Sequence, residues 1–404
     1  MGFMDMIYLD HNATTSAAPE VVEAMNAVLC DEWANPSSIH RMGQVARRRL
    51  DHAREQVADF IGASPDEIIF TGGGTESVNT AIRSCIRERP GRRLVVTSQV
   101  EHSAVRELLE DLEPSGIETI KLPNDSNGVV DTEMLSSILA ERADEVALVS
   151  VMWANNETGV IEPIDAVGAL CQKHGVLFHS DGTQWVGKMP TDVSKIPFDM
   201  LSFTSHKFHG PKGIGVLFVR AGTPYHSLLI GGGQERGRRG GTENVPAIVG
   251  LGEACRLSSA WLRGDGRSSM DQLRNTFEHR LIEALPGACI NGRDAPRMWS
   301  TTSVGFPGLE SELVLLMLSE RGVCASAGSA CSSGALKPSK VIEAIGRQPC
   351  HVDDVPYGAV RFSFCRHTSR EQLDRALDII VTVVGRLEQD HDGTSASASA
   401  LSNS

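Results

Sequence analysis

Ser202-Phe203-Thr204-Ser205-His206-Lys207-Phe208-His209-Gly210-Pro211-Lys212-Gly213 joins an apolar run, Met200 to Phe203, to a polar turn holding a lysine and glycines. The run reads as a buried strand and the turn as its C-terminal end. A lysine at that place loses part of its hydration, which lowers its pKa and frees the amine as a nucleophile or base. Thr204, Ser205 and His206 beside it carry donors suited to a phosphate. A lysine in a loop is ordinarily solvated, so Lys207 becomes a candidate only through its company.

Working outward, the same pattern recurs from Glu67 to Val219: apolar strand, small-residue turn, helix. Ile68 to Phe70, Leu94 to Val96, Val146 to Val151, Val176 to His179 and Ile214 to Val219 are the strand candidates. This alternation predicts an α/β fold with a mostly parallel sheet and functional groups at strand ends. Upstream, amphipathic helices are expected from Pro19 to about Trp33 and from about Met42 to Ile61, the latter closed by Gly62. Downstream, a glycine-rich segment (231–242) leads into a helical region broken near Gly264-Asp265-Gly266. The division expected is a large α/β domain, 16–261, and a smaller α+β domain from 1–15 and 262–391. Residues 392–404, rich in Ser and Ala, read as a disordered tail.

Composition bounds the partners. The 404-residue chain carries a formal net charge of −13, which argues against nucleic acid or an anionic membrane as its main partner. Asp5, Asp10 and Glu20 interrupt any apolar leader, and no apolar run is long enough to span a bilayer. Nine scattered cysteines without a CxxC pair read as reduced thiols in a cytoplasmic protein. The Arg47-Arg48-Arg49 cluster reads as a solvated helix face.

Six further places carry chemistry. Gly73-Gly74-Thr75 opens a helix after a strand, where free N–H groups and the helix dipole favour a phosphate; as a glycine turn it serves equally as plain structure. Asp181, in His179-Ser180-Asp181-Gly182-Thr183-Gln184, can hold a pyridinium nitrogen protonated or simply cap a helix. His102 follows a strand and can stack on a ring while shuttling protons, and Asn156 can offer an amide to a ring hydroxyl. Cys331 sits among Gly, Ser and Ala, which suits a thiol that reaches a substrate and takes up sulfur, whereas Cys324 follows an apolar run and reads as a buried small hydrophobe. Arg361, on the apolar strand Ala359 to Phe364, needs an anionic partner, and a substrate carboxylate would serve. These are the parts of a pyridoxal phosphate site with Lys207 at its centre.

The stretches YLDHNATT (8–15), NPSSIH (35–40), GTES (74–77), EHSAV (101–105), VMWANNETGV (151–160), HKFHGPKG (206–213), GGGQERGRRGGTEN (231–244), SAGSACSSGALKPS (326–339) and VRFSFCRHT (360–368) carry a resemblance. From about residue 7 to 390 the chain resembles the group I cysteine desulfurases of the nitrogen-fixation type. These lie within the class V aminotransferases of pyridoxal-phosphate fold type I. The resemblance implies conversion of L-cysteine to L-alanine, with sulfur left as a persulfide on Cys331 and passed to an iron–sulfur scaffold or other acceptor protein. It implies that Lys207 binds pyridoxal 5'-phosphate covalently, that His102 stacks on the ring and that Asp181 pairs with the ring nitrogen. Asn156 and Gln184 would contact the ring side. Gly74, Thr75, Thr204, Ser205 and His206 would hold the phosphate, with Thr242 contributed by the partner subunit of a homodimer. Arg361, with Asn156, would bind the substrate carboxylate. No resident metal is expected, and no cluster on Cys331 is predicted. Ser205, Gly182-Thr183 and Val78 depart from the family's usual residues without removing a catalytic group. A selenocysteine lyase would use the same residues, and a docking scaffold would have no use for them.

Overall fold

The computed structural model describes residues 6–327, 339–346 and 357–402. The chain opens with β1 (Ile7–Tyr8), α1 (Pro19–Asp31) and α2 (Arg41–Ile61). An α/β run follows: β2 (Ile68–Thr71), α3 (Gly74–Glu88), β3 (Leu94–Ser98), α4 (Ser103–Leu112), β4 (Glu118–Leu122) and α5 (Thr132–Arg142). It continues through β5 (Val146–Ser150), α6 (Ile164–His174), β6 (Phe178–Asp181), β7 (Met200–Thr204) and β8 (Gly215–Val219). The remainder holds α7 (Val245–Leu262), α8 (Gly266–Ala284), β9 (Cys289–Ile290), β10 (Thr301–Pro307), α9 (Ser311–Glu320) and β11 (Val323–Cys324). Last come α10 (Lys340–Ala344), β12 (Tyr357–Ser363) and α11 (Arg370–Ser402).

Seven strands form one sheet in the order β2-β8-β7-β6-β5-β3-β4, and only β8 runs against the others. The strands expected from apolar runs are all present. β4 was not among them, because Glu118 to Leu122 has only one fully buried residue and reads as polar. β2, β3, β5, β6 and β7 point the same way, so their C-terminal ends form one rim, the usual place for ligands in such sheets.

Helix ends follow local chemistry. α2 starts at His40, whose side chain accepts from the Gly43 N–H, and stops at Gly62 in the left-handed region. α7 and α8 part where Gly264 and Gly266 were expected to break the helix. α11 extends to Ser402, through most of the segment whose composition suggests a tail; that segment is rich in alanine, a strong helix former, and free of proline.

Apolar burial gathers in separate cores. The largest runs from Ala18 to Cys255 and includes Phe70, Phe178, Phe198, Phe203 and Phe218 beneath the sheet. Another joins Ile7 and Leu9 to residues between Met270 and Leu387, so the N-terminus packs with the C-terminal part. Parallel pairing of β1 with β11 fixes that return, and it delivers residues 10–15 to the sheet rim. Cys85, Cys171, Cys255 and Cys365 are buried free thiols. Among the described residues no helix is long and apolar enough to cross a membrane.

Candidate active site

The C-terminal ends of β2, β3, β5, β6 and β7 surround a cavity of about 220 Å³. Of the residues expected there, Gly74, Thr75, His102, Asn156, Asp181, Gln184, Thr204, His206, Lys207 and Arg361 line it. Asn12, Met152, Ala154 and Thr183 line it as well.

Lys207 lies in the single helical turn that follows β7. Its Nζ donates to the carbonyls of Asn12 (2.7 Å) and Ala13 (2.8 Å), which tie the amine to the returning N-terminus. Asp181, at the end of β6, is buried, and one of its oxygens accepts from the Thr183 N–H (3.0 Å). His102 sits before α4 and its Nδ1 accepts from the Ala104 N–H (3.1 Å), which leaves the ring proton on Nε2. Burial lowers the His102 pKa; the Asp181 charge opposes that shift and the Lys207 charge adds to it. The ring is therefore a neutral imidazole at the cavity wall. Glu101 beside it is fully buried and pushed up to about 8 by desolvation.

One end of the cavity suits an anion. α3 begins at Gly74 without a side-chain cap, so its first N–H groups face the space that Thr75, Thr204 and His206 border. The Gly72 N–H is taken by Glu76 (2.7 Å), whose carboxylate is neutralised by Arg239 (2.9 Å). His206 is pushed down to about 4, chiefly by burial and then by Lys207 and Lys212, and its Nδ1 lies 3.1 Å from the Thr14 hydroxyl. Ser205 stands apart from this group. Its hydroxyl donates to the Pro211 carbonyl (2.9 Å) in the protein interior, outside the cavity lining. Thr242 is exposed and does not line the cavity of its own chain.

Arg361, 3% exposed on β12, also lines the cavity. The anionic partner that such a residue needs is already supplied in part: Nη2 pairs with Asp10 at 2.7 Å. Nη1 donates to the Asn156 carbonyl (2.9 Å). Asn155 shapes this turn, with its Oδ1 accepting from the N–H groups of Glu157 and Thr158, and so presents Asn156 to the cavity. Ser326 exchanges backbone hydrogen bonds with Arg361. Cys331 lies outside the described residues. Cys324 is half-buried and its thiol pKa is raised, first by burial and then by Asp10.

Asn12 and Lys188 are the residues that sequence reasoning left without a role. Asn12 lay within a quoted motif; Lys188 had a readable signal, a lone cation in the apolar stretch Trp185-Val186-Gly187-Lys188-Met189.

A sheet rim with a lysine, a buried carboxylate, a neutral histidine and an uncapped helix defines a class of protein, and the comparisons agree with it. Residues 7–376 match the class-V aminotransferase family, and the chain belongs to that family. It is 43% identical over 388 residues to a cysteine desulfurase of a Nostoc species, covering 95% of this chain and 94% of that one. It is 42% identical over 386 residues to the cysteine desulfurase NifS of Azotobacter vinelandii, covering 94% and 93%. A solved NifS-like protein superposes with a TM-score of 0.85 at 35% identity, covering 94% of this chain and 99% of that one. SspA solved in complex with cysteine gives 0.76 at 32% identity, covering 90% and 99%. The expected resemblance to the nitrogen-fixation type of cysteine desulfurase is borne out.

Proposed function

We propose that this protein is a pyridoxal-phosphate-dependent cysteine desulfurase that converts L-cysteine to L-alanine and hands the sulfur to an acceptor for iron–sulfur cluster assembly. The observation that carries the reading is the set of groups brought to one cavity: an uncapped helix start, a lysine, a buried carboxylate and a buried arginine. That set fits the cofactor. Gly74, Thr75, Thr204 and His206 would hold its phosphate, Asp181 its ring nitrogen, His102 a ring face, and Gln184 and Asn156 the ring edge. Bound there, pyridoxal phosphate supplies an electron sink for chemistry at the substrate's α-carbon.

The chain's own groups do the rest. Asp181 keeps a proton on the ring nitrogen, Arg361 and Asn156 orient the substrate carboxylate, and the Lys207 amine takes and returns the Cα proton. The Cys331 thiolate takes the substrate sulfur: the carbon–sulfur bond breaks, a sulfur–sulfur bond forms, and the carbon skeleton gains a proton to leave as alanine. The hydrogen bonds between Ser326 and Arg361 support this, since they set the attachment of the following segment beside the substrate arginine. A homodimer is part of the reading. Ile39 (94% exposed), Ile230 (78%) and Trp33 (66%) are large apolar side chains that a second copy would cover.

The test is alanine and persulfide formation from L-cysteine, with Lys207→Ala and Cys331→Ala beside the wild type. Equal amounts of alanine and transferable sulfur are expected from the wild type only. Undiminished alanine from Lys207→Ala would refute the reading.

A further inference from the structure

Lys188 is 4% exposed, and no step above uses it. It belongs to the turn after β6, where the N–H groups of Trp185 and Val186 bond to the Gly182 carbonyl and those of Lys188 and Met189 to the Trp185 carbonyl. Helix-like spacing thus sets Gln184 and Lys188 on one side. Gly187 makes this possible: its φ is +88°, and a Cβ there would stand 2.2 Å from the Phe208 ring. The turn packs directly on the residue after Lys207.

The Lys188 amine donates to Asn12 Oδ1 (2.8 Å) and to Gln184 Oε1 (2.7 Å). Oxygen and nitrogen of an amide are hard to tell apart, but here the neighbours decide. The Gln184 Nε2 faces the Asn12 main-chain carbonyl (3.1 Å), and the Asn12 Nδ2 faces the Asn156 carbonyl (3.1 Å). Carbonyls only accept, so both amide oxygens must point at Lys188. The same two carbonyls hold the working residues: Lys207 donates to that of Asn12, and Arg361 to that of Asn156. Asn12 is therefore the joint between the amine and the carboxylate-binding arginine.

We propose that Lys188 is a positioning residue that locks the amides of Asn12 and Gln184, and through them sets Lys207 and Arg361 in register across the cavity. The inference rests on the desulfurase reading. Burial, with the charges of Lys207 and Arg361, holds the Lys188 pKa well below that of a free lysine, while Cys365 acts in the other direction. The charge of Lys188 also bears on His11, His206 and His209. Both amide oxygens lie within hydrogen-bond distance of the amine's N–H groups.

The test uses cofactor-loaded wild type, Lys188→Met, Gln184→Met and the double variant. The readouts are cofactor affinity, the pH midpoint of the bound cofactor's visible absorption, and KM for L-cysteine against kcat. Lys188→Met should move the midpoint and raise KM by about tenfold, the scale of a slightly misplaced group, with a smaller loss in kcat. Its effect on the midpoint should shrink in the Gln184→Met background, as expected for residues that act together. Lys188→Gln, which keeps two N–H donors, should recover part of both. A Lys188→Met protein with unchanged midpoint and KM overturns the proposal, even if it is less stable, and so does full additivity with Gln184→Met. Should no Lys188 variant fold, a crystal structure of the loaded wild type decides: an amine beyond about 3.5 Å from either amide oxygen contradicts the lock, and contacts within that distance support it. A wild type that binds no cofactor would instead fail the desulfurase reading and take this inference with it.

Discussion

Glu101 shows how burial, more than any neighbouring charge or hydrogen bond, sets a residue's charge at this site. One oxygen accepts from Ser98 (2.7 Å) and from the Met152 N–H (2.9 Å), while the other is buried without a protein partner. With its pKa raised to about 8 from 4.5, the group carries a proton at neutral pH. The folded pKa lies above the unfolded one. Its contribution to stability is therefore full below pH 4.5 and is lost as pH rises through about 8. Glu101→Gln, which keeps the shape and cannot ionise, should gain on the wild type across that window by roughly 1.4 kcal/mol per pH unit. Denaturant unfolding from pH 5 to 9 checks this, and a stability difference that stays flat with pH would count against it. The cysteines give a second expectation. Cys324, half-buried with a raised pKa, should react slowly with an alkylating agent. Label from a limiting amount of reagent should collect on Cys331 and track the loss of activity; label collecting first on Cys324 would name the wrong thiol.

Among elements, the loop 231–242 depends on one buried ion pair. Glu235 and Arg236 both adopt positive φ, a conformation that non-glycine residues hold only under constraint. The constraint is the two-pronged pair of Glu235 with Arg54 of α2 (2.7 and 2.9 Å), joined by the Phe70 N–H of β2. Removing one partner leaves a buried charge unpaired, so Glu235→Ala should cost about 3–5 kcal/mol by urea unfolding. A loss below about 1 kcal/mol would mean that the loop holds its shape by other means. Much of this level was legible in the sequence. Apolar runs such as Val146 to Val151 announced the strands, and the polar residues just after them announced the rim. What was not legible lies in contacts between distant parts of the chain. Asp10 meets Arg361 across 351 positions, and Lys188 meets Asn12 across 176. Local periodicity carries no record of such pairs. Ser205 looked like a phosphate ligand by proximity, but a β strand alternates its faces, and the turn after β7 sends that hydroxyl inward to Pro211.

For the whole molecule, the expected homodimer is a statement about where the site is completed. Thr242 is exposed in its own chain, and in the proposed dimer it reaches the partner's phosphate end. A Lys207→Ala chain would then damage its own site and a Thr242→Ala chain its partner's, so in a mixed dimer both changes fall in one site and the other is sound. Sedimentation should show a dimer, and activity should return on mixing; a fully active monomer would remove Thr242 from the site. The two largest cores, one built from residues 18–255 and one joining the N-terminus to 270–387, fit the proposed division into a large and a small domain around the cavity. The central claim is that Lys207 is the cofactor's lysine, and the structure offers a real competitor in Lys188, which is buried beside the cavity-lining Asn12 and Gln184 and has its pKa lowered. Borohydride reduction of the loaded wild type followed by peptide mapping separates them. The account predicts the reduced pyridoxyl group on the peptide containing Lys207, with none on Lys188 or Lys212; a label on either of those lysines instead would contradict it.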